Sequence, residues 1–191
     1  KKALPVILDT IHVFTEMRTE CASMSELIDL YNRDRQNLCR KVDRNAYLFQ
    51  PNEFMMYVLA ILENEEGKFL VTRRSLNKKW AAGGWEMSGG GAKSGETSEE
   101  AIQREVKEET NLDVQNGQVV YSYFNEDETR HDNYFVDIYR FKFDFKLSDV
   151  TLNAKESIDC KFVSLEELVT MHKEQPFLHF ERIMKALQQK K

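Results

Sequence analysis

Most of the glycine in this chain is concentrated in one short window. Six of the eight glycines lie among the thirteen residues from Gly83 to Gly95, and only Gly67 and Gly117 lie elsewhere. Average usage of about 7% would place about 13 glycines in a chain of this length, so the cluster does not reflect a glycine-rich composition. Backbone without side chains can turn sharply and approach a ligand closely. The window therefore predicts a loop whose main chain meets a ligand.

A helix is predicted directly after this window, over residues 96 to 110. Thr97 is a good N-cap residue, and Glu100 three positions later completes a capping-box pattern. Asn111, just beyond the predicted end, tolerates the left-handed conformation of a C-terminal cap. A glycine loop that leads into a helix N-terminus is a typical arrangement for binding phosphate groups.

Three glutamates of the predicted helix share one face. Glu105, Glu108 and Glu109 stand at i, i+3 and i+4, so their side chains fall within an arc of about 100°. Like charges at this spacing repel each other, and carboxylates are natural ligands of Mg²⁺ and Mn²⁺, which would turn the repulsion into attraction. Alone, the three acids also fit a solvated helix face. The glycine window beside them favours a site for a metal ion and a diphosphate.

Together, the loop and helix resemble the Nudix box, G-x5-E-x7-R-E-U-x-E-E-x-G-U, in which U is apolar. From Gly90 to Leu112 the chain reads GGAKSGETSEEAIQREVKEETNL, which matches six of the seven fixed identities and both apolar positions. The one departure is Asn111 in place of glycine, which we expect to preserve the helix end. A motif with this many fixed positions is far more specific than a lone GxGxxG.

The resemblance extends from about Glu26 to Leu168. The segments LIDLYNRDRQNL, FLVTRRSLNKKW and GGWEMSGGGAKSGE are similar to the subgroup of Nudix proteins nearest to isopentenyl diphosphate isomerase. The resemblance implies the Nudix fold, an α+β or α/β arrangement with a mixed β-sheet sandwiched between helices. It also implies a hydrolase that uses Mg²⁺ or Mn²⁺ and cleaves the diphosphate linkage of a nucleoside diphosphate joined to another group.

The resemblance also assigns roles to the residues of the box. The implied metal ligands are Glu108 and Glu109, the carbonyl of Gly89, and Glu105, which is alternatively the base that orients water. Arg104 would brace the carboxylates, and Gly90 would lie against the substrate. Glu96 would stabilise the loop–helix junction next to the substrate or add to the metal shell.

Candidate residues also lie outside the box. Glu156 precedes a predicted strand in a region where many Nudix enzymes supply a loop carboxylate, so it is a second candidate for the general base, although a surface glutamate fits equally well. Arg73 and Arg74 end a strand just before the glycine window, a good position for phosphate contacts. Trp80 and Trp85 could stack on a base or ribose, or pack in the core.

The apolar patterns predict how the rest of the chain folds. Residues 1–23 are expected to form a helical extension, either native or non-native, and residues 24–191 a single domain. Residues 27–31 and 46–49 resemble a hairpin around a charged loop, and the fully apolar run at 54–62 predicts a central strand. The remaining predicted elements are strands at 68–74, 118–124, 133–145 and 158–163 and helices that begin after Ser164 and at Pro176.

Composition and net charge limit the partners and the compartment that we expect for this protein. A net charge of -5 argues against binding nucleic acid by broad phosphate neutralisation, and no apolar run approaches a membrane span. Three cysteines without a CxxC pair fit a reduced, cytoplasmic protein. We therefore expect a small nucleotide-type substrate, no nucleic-acid or membrane partner, and a possible homodimer through the apolar stripe of residues 4–21.

Two other functions compete with hydrolysis. Isopentenyl diphosphate isomerase shares the scaffold, but that family carries a cysteine near the glycine window and histidines for its metal, and the window here has neither. A Nudix-fold module that senses a nucleotide without turnover is the second alternative. Such modules commonly lose carboxylates of the box, whereas this chain keeps all three, which favours an enzyme.

Overall fold

Nine β-strands and three α-helices follow one another in residues 26–189, the part of the chain that the computed structural model describes. The helix predicted for residues 1–23 lies outside this range. The strands are β1 Leu27–Tyr31, β2 Asn37–Asp43, β3 Met55–Glu63, β4 Phe69–Arg74, β5 Trp85–Glu86, β6 Gly89–Gly91, β7 Gln118–Asn125, β8 Tyr134–Lys142 and β9 Ser157–Val163. The α-helices are α1 Ser98–Thr110, α2 Leu165–Glu174 and α3 Phe180–Gln188, and a 3-10 turn covers Leu147–Asp149.

Seven of the strands form one mixed sheet. Its main order is β5-β4-β3-β8-β7, while β6 also pairs with β3 and β9 with β4. The β3–β8 pair is parallel and the other pairs are antiparallel. Eight of the nine residues of β3 are buried, which confirms the prediction of a central strand from its uninterrupted apolar run.

The sheet lies between two helical layers, each with its own apolar core. On one face, Ile102 and Val106 of α1 pack against β3 residues such as Val58. On the other face, Leu168 of α2 and Ile183 of α3 pack against the alternate residues of the same strands. The predicted mixed sheet between helices is therefore confirmed. None of the helices in residues 26–189 has the length and apolarity needed to cross a membrane.

Local side-chain chemistry sets the ends of α1 as the sequence indicates. The Thr97 hydroxyl accepts a hydrogen bond from the Glu100 N–H at 3.2 Å, and a Glu100 carboxylate oxygen accepts one from the Thr97 N–H at 2.8 Å. At the other end, Asn111 is left-handed with φ of 61°, and its N–H donates to the Lys107 carbonyl. Asparagine thus ends the helix as the glycine of the box would.

The predicted first hairpin is wrong in its second strand. The partner of β1 is β2, which lies inside the basic segment, and residues 46–49 form no strand. The basic side chains are accommodated because they find acceptors: Arg44 donates to Glu26 at 3.1 Å and to the Tyr57 hydroxyl at 2.7 Å. Phe49 is still buried, in a small core beneath the hairpin.

Two predicted boundaries also differ. The last helix begins at Phe180 rather than Pro176, because His179 has a left-handed backbone with φ of 59° that a continuous α-helix does not allow. The strand predicted over residues 133–145 ends at Lys142. Phe145 nonetheless packs in the core on the α1 side. The apolar pattern therefore predicted the burial of this residue correctly but overestimated the length of the strand.

The capping box generates a stability prediction. Replacing Thr97 with Ala should lower the free energy of unfolding by about 1 kcal/mol, because the Glu100 N–H loses its side-chain acceptor. Thr97→Ser keeps the hydroxyl and is expected to stay near wild type. Urea denaturation of the three proteins measures the difference, and equal losses in both variants would contradict the role of the hydroxyl.

Candidate active site

The glycine strand β6 approaches α1 so closely that no side chain fits between them. Gly89 and Gly90 pair with Leu59 and Val58 of β3. A Cβ atom at Gly90 would lie 2.4 Å from Oε1 of Glu105, and one at Gly89 would lie 2.2 Å from the Val58 carbonyl oxygen. Gly90 therefore allows a carboxylate of α1 to rest directly on the backbone of β6, and Gly89 allows β6 to lie close to β3.

One guanidinium joins this loop to the helix. Arg104 donates from Nε and Nη2 to the two oxygens of Glu96 at 2.6 and 2.9 Å, and from Nη2 to the Gly91 carbonyl at 2.9 Å. Its Nη1 donates to Glu105 at 2.8 Å and to Glu108 at 3.2 Å. Burial opposes the charge, but the hydrogen bonds that Arg104 donates to Glu96 and Glu105 raise the pKa of Arg104 above its usual range. The site therefore contains a permanent cation.

Glu109 is a buried acid with an unsatisfied oxygen. The residue is 7% exposed, and its Oε2 finds no hydrogen-bond partner among residues 26–189. Burial, followed by the charges of Glu86 and Glu105, raises the pKa of Glu109 to about 8. A buried carboxylate in this position is stable only if it takes up a proton or faces a cation. Its hard oxygen suits Mg²⁺ or Mn²⁺, so this residue fits a divalent metal ion.

Two acids from other elements lie near Glu109. The charges of Glu86 in β5 and of Glu156 just before β9 both contribute to the raised pKa of Glu109. Burial also raises the pKa of Glu86 itself, and Arg74 opposes that rise. The sequence prediction missed Glu86. The one sequence feature that could have indicated Glu86 is its position, because it is the only acid inside the glycine window before Glu96.

Basic side chains hold both of these outer acids. Nη1 of Arg74 donates to the two oxygens of Glu86 at 2.8 and 3.0 Å, and Lys78 forms an ion pair with Glu156. Within residues 26–189, no three His, Cys, Asp or Glu side chains cluster closely enough to form a metal centre in this conformation. Binding a cation with three or more of these side chains would therefore require acid side chains to turn from their basic partners towards Glu109.

The two predicted phosphate-binding arginines lie on opposite faces of β4. Arg74 shares its face with Leu70, which belongs to the core under α1, whereas Arg73 shares its face with Val71 of the other core. Nε of Arg73 donates to the Gly83 carbonyl at 3.1 Å. The structure thus brings Arg74, but not Arg73, to the side of the sheet that carries the acids.

The two tryptophans have different surroundings. Trp85 in β5 is partly buried against the core of α2 and α3, and the Lys161 ammonium lies 4.8 Å from its ring centroid. Trp80 in the preceding loop is 59% exposed. Packing in the core, which is the usual fate of tryptophan, therefore applies to Trp85 and not to Trp80.

Comparison with known proteins agrees with this geometry. The family model for the NUDIX domain matches residues 53–184. An uncharacterised Nudix hydrolase of Listeria innocua is 33% identical over 155 residues, which cover 80% of this chain and 88% of the relative. An isopentenyl-diphosphate delta-isomerase of Salmonella is 45% identical, but over only 65 residues, 34% of this chain and 36% of the relative.

A solved structure shares the fold as well. The crystal structure of the MutT protein from Methanosarcina mazei superposes with a TM-score of 0.59 at 28% identity, and the match covers 70% of this chain and 91% of that one. The mixed sheet and its helical layers thus belong to a known architecture.

The raised pKa of Glu109 predicts a pH-dependent stability. Between the ordinary pKa of 4.5 and the folded value of about 8, the native state keeps a proton that the unfolded state has lost. The contribution of Glu109 to the free energy of unfolding therefore falls as the pH rises through this window. Glu109→Gln should remove that contribution, so the variant should gain stability relative to wild type from pH 5 to pH 8.

Urea denaturation with a metal chelator at pH 5, 6.5 and 8 measures this difference. Glu99→Gln, an exposed position of the same helix, is the matched control and should follow the wild-type profile. Parallel profiles for wild type and Glu109→Gln would contradict the raised pKa.

Proposed function

The chain belongs to the Nudix family and is a Nudix hydrolase, and from this premise we propose that it cleaves the diphosphate linkage of a nucleoside diphosphate joined to another group, with Mg²⁺ or Mn²⁺ as cofactor. The observation that carries the proposal is the buried Oε2 of Glu109, which has no hydrogen-bond partner within residues 26–189 and lies among other acids. One of these acids, Glu105, rests on the bare backbone of Gly90. A buried oxygen such as Oε2 of Glu109 is costly unless a cation meets it.

In this proposal, the cation is held by the acids of α1. Glu108 and Glu109 are the principal ligands, and the Gly89 carbonyl is a further ligand. Glu105 is either another ligand or the base that orients water. When bound, the divalent ion neutralises the diphosphate and lowers the pKa of bound water. Glu108 is half-exposed and pairs with Lys93 at 3.1 Å and with Arg104 at 3.2 Å, so its carboxylate is accessible from solvent.

The surrounding residues hold the reacting groups in place. Arg104 fixes Glu105 against Gly90, and Glu96 fixes Arg104, so the carboxylate that faces the loop has one orientation. We assign Gly90 to the substrate contact through its backbone, because the Glu105 carboxylate occupies the space where a side chain would lie. A preorganised acid of this kind loses little entropy when the substrate binds.

The proton of the attacking water goes to a carboxylate. Glu105 is our first candidate base, because burial raises its pKa above the usual range despite the opposing hydrogen bond from Arg104. Glu156, which lies near Glu109 and pairs with Lys78, is the second candidate. The water oxygen forms a bond to phosphorus, the P–O bond of the diphosphate breaks, and the leaving phosphate takes the bonding electrons.

Hydrolysis is favoured over the two alternatives. The match to the isomerase covers 34% of the chain, against 80% for a relative named as a hydrolase. The segment between β5 and β6 contains Met87 and Ser88, with no cysteine or histidine for isomerase chemistry. A sensor module without turnover has no need for the intact set of box acids.

We also assign the protein to the cytoplasm. Cys39 and Cys160, the cysteines within residues 26–189, are both free thiols, which supports a reducing compartment. A homodimer is compatible with the apolar stripe of residues 4–21, which lies outside the described residues.

A substrate panel tests the proposed function. Nucleoside diphosphate sugars, ADP-ribose, dinucleotides and simple nucleotides are each incubated with Mg²⁺, Mn²⁺ or a chelator, and the products show which bond is cut. Glu109→Gln and Glu108→Gln should each lower kcat/KM by about 100-fold or more, since loss of even an indirect partner of a metal ligand costs 10–100-fold.

Glu99→Gln is again the matched control and should retain wild-type activity. Unchanged activity in both Glu108→Gln and Glu109→Gln would overturn their assignment as metal ligands. If the wild-type protein hydrolyses none of these compounds with either metal, the proposed substrate class is wrong.

The contact at Gly90 yields a separate prediction. Gly90→Ala should lower kcat by about 100-fold, because the new methyl group displaces the Glu105 carboxylate and an error of about 1 Å has this effect on catalysis. Gly67→Ala is the control: it strains a left-handed turn with φ of 75° but meets no neighbouring atom within 4 Å. It should lower stability by about 1 kcal/mol and leave kcat unchanged. Equal kcat values for the two variants would contradict the steric argument.

A further inference from the structure

The loop between β4 and β5, residues 75–84, exposes a tryptophan beside the acids. Trp80 is 59% exposed, although burial of an aromatic side chain is among the largest gains available to a fold. We call this segment the Trp80 loop. An indole left largely in water next to a candidate active site is available to contact a ligand.

The exposed ring is held in a defined place. Nε of Arg74 donates to the Trp80 carbonyl at 3.2 Å, and the Arg74 guanidinium lies 5.4 Å from the centroid of the indole. The His179 ring lies 6.1 Å away at an angle of 42°. A cation–π contact and a neighbouring ring therefore support the indole, which reduces the entropy that it would lose on binding a ligand.

The Trp80 loop is also connected by side-chain contacts to two of the acids, Glu86 and Glu156. The guanidinium beneath Trp80 is the one that binds Glu86, so a single side chain connects the indole to the acidic cluster. Further along the loop, Lys78 pairs with Glu156, and the Ser75 N–H donates to the Glu156 carbonyl at 2.8 Å. The indole thus lies at the edge of the site in which the diphosphate is cleaved.

We propose that Trp80 is the platform on which the base of the substrate stacks, an inference that rests on the proposed function. Every nucleobase has a flat π-face, and stacking on an aromatic side chain is a common way to bind it. The Arg74 guanidinium, which contacts both the indole and Glu86, connects a base stacked on Trp80 with the acids. This arrangement suits a ligand whose aromatic group and diphosphate are joined by a short sugar.

A protein partner is the competing explanation for an exposed indole. The charges nearby favour the nucleotide, since the exposed Lys79 directly precedes Trp80 and the Arg74 guanidinium lies 5.4 Å from the centroid of its ring. Association of copies through Trp80 is therefore treated as an outcome that would oppose the proposal.

Binding of uncleavable analogues tests the platform. The α,β-methylene diphosphates of adenosine, guanosine, cytidine and uridine are compared with methylenediphosphonate, which lacks base and sugar. Affinities are measured by calorimetry with Mg²⁺ for wild type, Trp80→Ala, Trp80→Phe and Leu76→Ala. Leu76 is the matched control, because it lies in the same loop and is 68% exposed without an aromatic ring.

We expect Trp80→Ala to weaken binding of the best nucleotide analogue by about fivefold or more, in line with measured stacking contributions. Binding of methylenediphosphonate should be unchanged, Trp80→Phe should keep part of the affinity, and Leu76→Ala should match wild type. In Trp85→Phe, where Trp80 is the remaining tryptophan, the nucleotide analogue should quench the fluorescence and methylenediphosphonate should not.

Three results would overturn the platform. In the first, Trp80→Ala lowers the affinities for the nucleotide analogue and for methylenediphosphonate equally. In the second, it lowers neither affinity. In the third, the wild-type protein binds the nucleotide analogues no more tightly than it binds methylenediphosphonate. A change of oligomeric state in Trp80→Ala with unchanged nucleotide affinity would identify a protein contact instead. These are binding measurements and do not depend on turnover. If the protein hydrolyses compounds of the substrate panel but the binding results contradict the platform, the proposed function stands and only the role of Trp80 is rejected.

Discussion

The Arg104 guanidinium is the interaction on which the geometry of the site depends. It joins the glycine strand, the start of α1 and two acids in the middle of that helix. Without a cation at this point, Glu96, Glu105 and Glu108 would repel each other across the loop–helix junction. The permanent charge of an arginine and its planar set of donors suit this task, because several carboxylate oxygens are satisfied at fixed angles.

Glu109 is in the opposite situation, because it is a buried acid with no such cation among the residues that the structure describes. Its position opposes folding of the metal-free protein at neutral pH, since the charged form is desolvated and faces Glu86 and Glu105. Active sites commonly retain unfavourable groups of this kind, and the rest of the fold has to compensate for them. Here the compensation comes from the two apolar cores on either side of the sheet.

Sequence patterns predicted well those features that a short segment determines alone. The capping box at Thr97, the left-handed Asn111 and the central position of β3 all agree with the structure. The failures concern pairing between segments. A basic stretch was expected to be a loop but forms β2, because Arg44 and its neighbours find acids and hydroxyls that lie elsewhere in the chain.

The sequence by itself determined the acidic helix, since spacing along one helix places Glu105, Glu108 and Glu109 on one face whatever surrounds them. It predicted a loop for the glycines before this helix, whereas Gly89–Gly91 pair with β3 as strand β6. Only the tertiary structure decided which further groups join the acids of this helix. Pairing of β4 with β5 and β9 brings Glu86 and Glu156 towards Glu109 and places Arg74 beneath Trp80. Strand register acts over distances along the chain that local periodicity does not encode, because a shift of one residue would turn each of these side chains to the other face of the sheet.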